Sequence, residues 1–190
     1  FVGAPVGDDE AYKVTAPSTS AAAISIASMN TRVAWTATAG AVSLPWSLNE
    51  LSPFSNGGPL RDASITPAQV YGATHEINGV DVTAPGALLQ APLSAQATPD
   101  PNMQINAVSQ VMAGTSMASP VVTGLVANLL AAERNLTLPL VLDRLKKSAT
   151  IPAASTFKPA AAPAGTKPYS RDWGYGLVDA ASDQFKGAVP

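Results

Sequence analysis

The stretch Ala113-Gly-Thr-Ser-Met-Ala-Ser-Pro-Val-Val-Thr-Gly-Leu-Val-Ala-Asn-Leu-Leu130 decides how the rest of the chain is read. After Ser116 the residues are apolar nearly all round through Asn135, where a surface helix would carry a polar face. The reading predicts a helix running through the interior, with sheet or other helices on every side. Pro120 is expected in its first turn, where a missing amide costs little. Gly124, about 1 kcal/mol worse than alanine inside a helix, is expected to admit a neighbouring backbone. Ser116, behind a glycine turn at the mouth of such a helix, suits a reactive hydroxyl. A serine needs a base to take its proton. The chain has one histidine, His75, in a stretch that does not resemble the setting of a catalytic base.

Bulk composition narrows the class. The chain has 190 residues, 46% hydrophobic and 13% charged, enough for one well-cored domain and unlike a disordered segment. A net charge of -2 offers no basic surface to nucleic acid. With no cysteine, neither a disulfide framework nor a thiolate metal site can form. No apolar run approaches the roughly 20 residues that span a bilayer, and the N-terminus lacks the features of a signal peptide. The chain opens on Phe1, and the expectation is that it begins at a cleavage or inside a larger precursor.

Strands and helices alternate outward from the serine stretch. Residues 1–9 read as a short strand ending in a polar turn. Residues 21–30 read as a buried strand, and residues 31–40 as a second strand with Val33 and Trp35 alternating against polar neighbours. Residues 44–67 are turn-rich, with Asn56-Gly57-Gly58-Pro59 as the strongest loop signal. Residues 79–92 give a strand expected to break at Pro85-Gly86. Residues 91–110 read as a surface excursion and 138–149 as a shorter amphipathic helix. Residues 152–168 read as a flexible proline- and alanine-rich loop. The chain closes with a Gly174-Tyr175-Gly176 turn into an expected final helix. The alternation indicates an α/β protein built on a parallel sheet.

Gly114-Thr115-Ser116-Met117-Ala118-Ser119-Pro120 resembles the serine motif of the subtilisin-like serine proteases. Residues 81–86 resemble the strand and turn that precede that motif, residues 52–62 the family's Ser-x-Phe-Ser loop, residues 14–28 the strand upstream of it, and residues 174–180 its closing turn. These segments fall in the family's order and span nearly the whole chain. The resemblance implies a parallel sheet with helices on both faces, and peptide-bond hydrolysis by an Asp-His-Ser triad. It makes residues 1–190 the C-terminal portion of a single catalytic domain, incomplete without an upstream segment. Ser116 is then the nucleophile, with its backbone amide in the oxyanion hole. The family's aspartate and histidine motifs are absent, and His75 matches neither. The expected partner is therefore the N-terminal chain of the same precursor, carrying the catalytic Asp and His; the other partner is a peptide or protein substrate. The resemblance also implies a secreted or extracytoplasmic location. It admits a structural calcium, although no acidic cluster marks a site and no cofactor is evident.

One departure concerns the oxyanion-hole asparagine of the family. The nearest match is Val6-Gly7-Asp8-Asp9, which puts Asp8 there; Ala4 or a residue before Phe1 are the alternatives, and Asp8 and Asp9 also read as plain turn residues. An ionised Asp8 would repel an oxyanion and would donate only if kept protonated. The bland reading of Ser116 is a helix N-cap. Thr115 and Ser119 read as local hydrogen-bonders, Met117 as packing behind the nucleophile, and Trp173 and Tyr175 as packing around the glycine turn. An inactive subtilisin-like subunit with a structural or protein-binding role is the competing reading. An esterase is weaker, because its Gly-x-Ser-x-Gly elbow is not found.

Overall fold

The computed structural model describes residues 14–20, 22–58, 79–159, 161–162 and 164–186. In chain order these form β1 (Ile26–Asn30), β2 (Ala34–Ala37), β3 (Gly40–Ser43), β4 (Val82–Ala87), β5 (Leu89–Pro92), β6 (Gln104–Asn106) and β7 (Ser109–Met112). Helix α1 (Thr115–Ala132), helix α2 (Leu138–Ser148) and a 3-10 turn (Asp183–Phe185) follow.

The centre is a parallel pair, β1 and β4, in register from Ile26 opposite Val82 to Met29 opposite Pro85. Both strands are buried over nearly their whole length, as strands covered on both faces must be. The far edge of β4 is taken by the closing segment: Tyr175 N donates to Asp81 O, Thr83 N to Gly176 O and Val178 N to Thr83 O. On the far edge of β1, Ser52 N donates to Ser28 O, and Asn30 N to Glu50 O. The strand does not break at Pro85-Gly86 as its sequence suggests; it runs through to Ala87 and ends where Leu88 turns left-handed, φ 57°. Alternation along β4 aims position 85 at the same edge as Thr83, away from β1, so the missing proline amide deprives the β1–β4 ladder of nothing.

Helix α1 packs against β1 and β4. Its buried residues, Ala118, Val122, Leu125 and Leu129, recur at the three- and four-residue spacing of one helix face. They share a core with Val82, Ala84, Val141, Leu145 and Phe185. Truncating Leu129 there to alanine should cost about 2–5 kcal/mol. The interior helix expected from composition is therefore not what the described residues show. Only 22% of α1 is buried, and Val121 and Leu130 are exposed. Gly124 meets nothing, with no described atom within 4 Å of where its Cβ would lie. At 18 residues and mean hydropathy 1.4, α1 is by length and composition apolar enough to cross a membrane, contrary to the sequence expectation. Its packed stripe gives it the place of a core helix instead. Pro120 also sits deeper than expected, past the first turn of a helix that starts at Thr115, and withholds the amide that would serve the Ser116 carbonyl.

A second core forms beside the first. The β2–β3 hairpin and the antiparallel sheet β5-β7-β6 enclose Trp35, Leu88 and Val111, with Met103 and Ile105 packed against them. Residues 91–110 supply the strand edges and turns of this sheet; none of them is buried, in keeping with the expected surface excursion, although Met103 and Ile105 pack against the second core. Trp35 Nε1 donates to Asn102 O at 2.8 Å, which satisfies the indole while its ring stays buried.

The C-terminal region departs from expectation twice. The segment after α2 is anchored: Glu50 accepts from Ser155 Oγ at 2.8 Å and from Thr156 N, and Phe157 stacks on Trp173 at 6.3 Å between ring centres. The expected final helix reduces to the 3-10 turn at Asp183, capped by Ser182; Asp179 accepts from Ala181 N, a local bond that competes with helix. Gly174 (φ +60°) presses so closely on Asp81 that a Cβ would collide with its carbonyl group and reach 2.8 Å from Val82 N. Trp173 and Tyr175 pack around this turn, Trp173 buried and Tyr175 edge-on to Tyr169. Burial, and after it the nearby Asp81 carboxylate, push the Tyr169 phenol far above its ordinary range.

Gly174→Ala should lower stability by more than about 2 kcal/mol, because left-handed strain adds to a backbone collision. Gly165→Ala, also at positive φ but in open space, should cost only about 1 kcal/mol; equal losses of Tm would contradict the close approach. Glu50 gives a pH test. Partial burial alone would raise its carboxyl, but the bonds from Thr156 and Ser155 outweigh that and hold it below the ordinary 4.5. Its folded value is depressed, so its contribution is present above the unfolded value and is lost as pH falls through the folded one. The hydrogen-exchange protection factor of the Thr156 amide should drop below about pH 4.5 and lose that dependence in Glu50→Gln. Constant protection down to pH 2 would show that the carboxylate is not the anchor.

Candidate active site

Ser116 is presented by a strand, a glycine joint and a helix in succession. Gly86, on β4, accepts a hydrogen bond from Gly114 N at 2.9 Å. A side chain at Gly86 would collide with Ser28 Oγ, reach 2.8 Å from Gly114 O and 2.9 Å from Ala118 Cβ. Only glycine lets the strand, the loop and the first buried turn of α1 meet there. Gly114 is extended and is itself the helix N-cap. Thr115 and Ser116 are therefore the first two helical residues, and the capping role that any serine could fill does not apply to Ser116.

The first turn of α1 carries no side-chain cap and no acidic residue. Its leading amides, Ser116 N among them, have no partner within the helix, and the positive end of the helix dipole is not neutralised locally. The Ser116 side chain is exposed and makes no hydrogen bond to any described residue. Met117 stands behind it, with its sulfur 3.4 Å from the position of a Cβ on Gly114. Ser119, one turn on, accepts from Thr123 Oγ1 through its carbonyl.

Thr115, Ser116 and Ser119 form one wall of a cleft of about 370 Å³. The opposite walls are the Val14–Ser18 segment, Ile24 and Ile26 leading into β1, and Phe54 with Asn56. Phe54 meets Trp46 edge to face at 5.7 Å. The cleft thus joins an exposed hydroxyl and the start of a helix to a lining of mixed polar and apolar residues.

Asp8, Asp9, Asp62 and His75 lie outside the described residues. Among the described residues, no three His, Cys, Asp or Glu side chains gather to hold a metal ion. Sequence reasoning missed the Val14–Ser18 and Phe54 walls of the cleft. The Ser-x-Phe-Ser resemblance was the one signal touching Phe54; nothing in local pattern ties residues 14–18 to residue 116.

The likeness to known proteins covers the same elements. The model of the subtilase family, Peptidase S8, matches residues 4–176. No curated protein matches the chain. Among solved structures, the CspB protease of Clostridium perfringens is similar with a TM-score of 0.53 and 22% identity, over 88% of this chain and 27% of that one. Fervidolysin of Fervidobacterium pennivorans, a keratinolytic enzyme related to subtilisin, gives a TM-score of 0.53 and 20% identity, over 86% of this chain and 19% of that one. A protease of Pseudoalteromonas arctica gives 0.52 and 19%, over 92% of this chain and 38% of that one. The chain spans well under half the length of each. The matched span, the parallel β1–β4 pair and the helix opening on Gly114-Thr-Ser116 agree, and the chain belongs to the subtilase family with a subtilisin-like α/β fold.

Proposed function

We propose that this chain is the nucleophile-bearing portion of a serine endopeptidase, completed by an upstream segment of the same precursor that brings the catalytic Asp and His. The observation that carries the reading is the position of Ser116: exposed, uncapping, at the second residue of a helix whose first turn lines a cleft. Subtilase membership supports serine protease chemistry.

In this mechanism the histidine of the upstream segment takes the Ser116 proton as Oγ attacks the scissile carbonyl. Negative charge passes to the carbonyl oxygen, where the Ser116 amide and the helix dipole stabilise it. The same histidine then protonates the leaving amine, the C–N bond breaks and Ser116 carries the acyl group. Water, deprotonated by the histidine, attacks the ester; the acid product leaves and the proton returns to Ser116. The aspartate holds the imidazole in orientation throughout.

The face of α1 left uncovered supports a docking role for the upstream segment. Val121 and Leu130, on the two flanks of the buried stripe, are partly exposed, and Gly124 meets open space among the described residues; apolar surface of this kind gains stability when removed from water.

The chain co-produced with its upstream segment should react with a fluorophosphonate probe at Ser116, read by peptide mass spectrometry. Ser116→Ala should abolish labelling, and the chain alone should label slower by on the order of 10⁴-fold or more, since the base is lost. A complete assembly that contains the histidine yet leaves Ser116 unlabelled would refute the protease and favour the inactive, protein-binding subunit. Produced alone, the chain should self-associate in sizing experiments; a monodisperse 19.3 kDa species would count against the partner.

A further inference from the structure

We propose that the buried hydroxyl pair Ser28–Ser52 is a positioning device for the Ser116 loop, coupling the Phe54 wall of the cleft to the seat of helix α1. The inference rests on the reading of Ser116 as a nucleophile and adds residues that neither the mechanism nor the serine motif uses.

Ser28 is fully buried in β1 and Ser52 nearly so; their Oγ atoms are 2.8 Å apart. Two further bonds fix the same two segments, Ser52 N to Ser28 O at 2.8 Å and Ser28 N to Ser55 Oγ at 3.0 Å. Buried hydroxyls are costly unless paired, and plain packing would be served by alanine at either position. The pair lies at one particular place. Ser28 Oγ touches the open side of Gly86, and the Gly86 carbonyl receives the Gly114 amide that starts α1. From Ser52, two residues along the chain lead to Phe54 in the cleft wall. A displacement of the wall is thus passed through Ser52, Ser28 and Gly86 to Gly114, two residues from Ser116. Ser28 and Ser52 touch neither substrate nor reacting atoms. They are positioning residues, and the outcome they control is how well the hydroxyl is aimed.

The test compares Ser28→Ala, Ser52→Ala and the double variant in the complete assembly. Each single change strands a buried hydroxyl, and the double change removes both. The single variants should lose about 10-fold or more in the rate of Ser116 phosphonylation at saturating probe, as slight misplacement costs, with the half-saturating concentration unchanged. The double variant should regain Tm yet stay slow. Hydrogen exchange at the Gly114 amide, a readout independent of chemistry, should be faster in all three variants. Wild-type labelling rates in both single variants, rates that recover with Tm in the double variant, or unchanged Gly114 exchange would overturn the proposal. A wild-type assembly that does not label at all would instead remove the nucleophile reading, and Gly114 exchange would still decide whether the pair governs the loop.

Discussion

The hydrogen bond from Gly114 N to Gly86 O joins the two halves of this structure, since it ties the last turn of β4 to the first of α1. It needs a strand backbone and a helix start to approach within the space of a methyl group, which the absence of a side chain at Gly86 provides. Once that contact is made, the direction of α1 is set. Ala118, Val122, Leu125 and Leu129 then fall on the β1–β4 surface, and α2 and the 3-10 turn close the same core behind them. Ser116 is held outside that core by the same geometry. A hydroxyl positioned by packing alone would move with each rotamer; one positioned by a backbone joint moves only if strand and helix part.

Much of this was legible in local sequence. The Gly-Thr-Ser step before an apolar run located α1, and the β-branched residues of 24–26 located β1, because each signal is carried by neighbours in the chain. The limits of that logic are equally specific. Pro85 reads as a strand breaker in isolation, yet it is harmless on the edge of β4 that faces away from β1. Residues 152–168 read as flexible from proline and alanine content, yet Glu50, some hundred residues upstream, holds Ser155 and Thr156. Ser28 and Ser52 look like ordinary polar residues until the fold brings their hydroxyls together. Long-range partners leave no periodicity behind.

The exposure of α1 is the most informative disagreement. Composition demanded an interior helix, and among the described residues only one stripe of it is covered. Apolar composition alone does not bury a helix; a packed neighbour does. Gly124 lies off the covered stripe. A mid-helix glycine costs about 1 kcal/mol, and with open space beside it no described residue offsets that cost. An element packed against that flank would.

The start of α1 gives up stability of its own. A Ser, Thr or Asp in place of the Gly114 cap would add only about a few tenths of a kcal/mol, and acidic residues in the first turn a further 0.3–1 kcal/mol or so; α1 has neither. Helix α2 likewise has no side-chain cap bond and no acid in its first turn, whereas the short turn at Asp183 has both. At α1 an acid or a cap would spend the leading amides on the protein itself and cancel the positive end of the dipole. In the proposed mechanism the Ser116 amide is the donor left for the oxyanion. The instability is then local, and the buried stripe of α1 is what allows the helix to tolerate it.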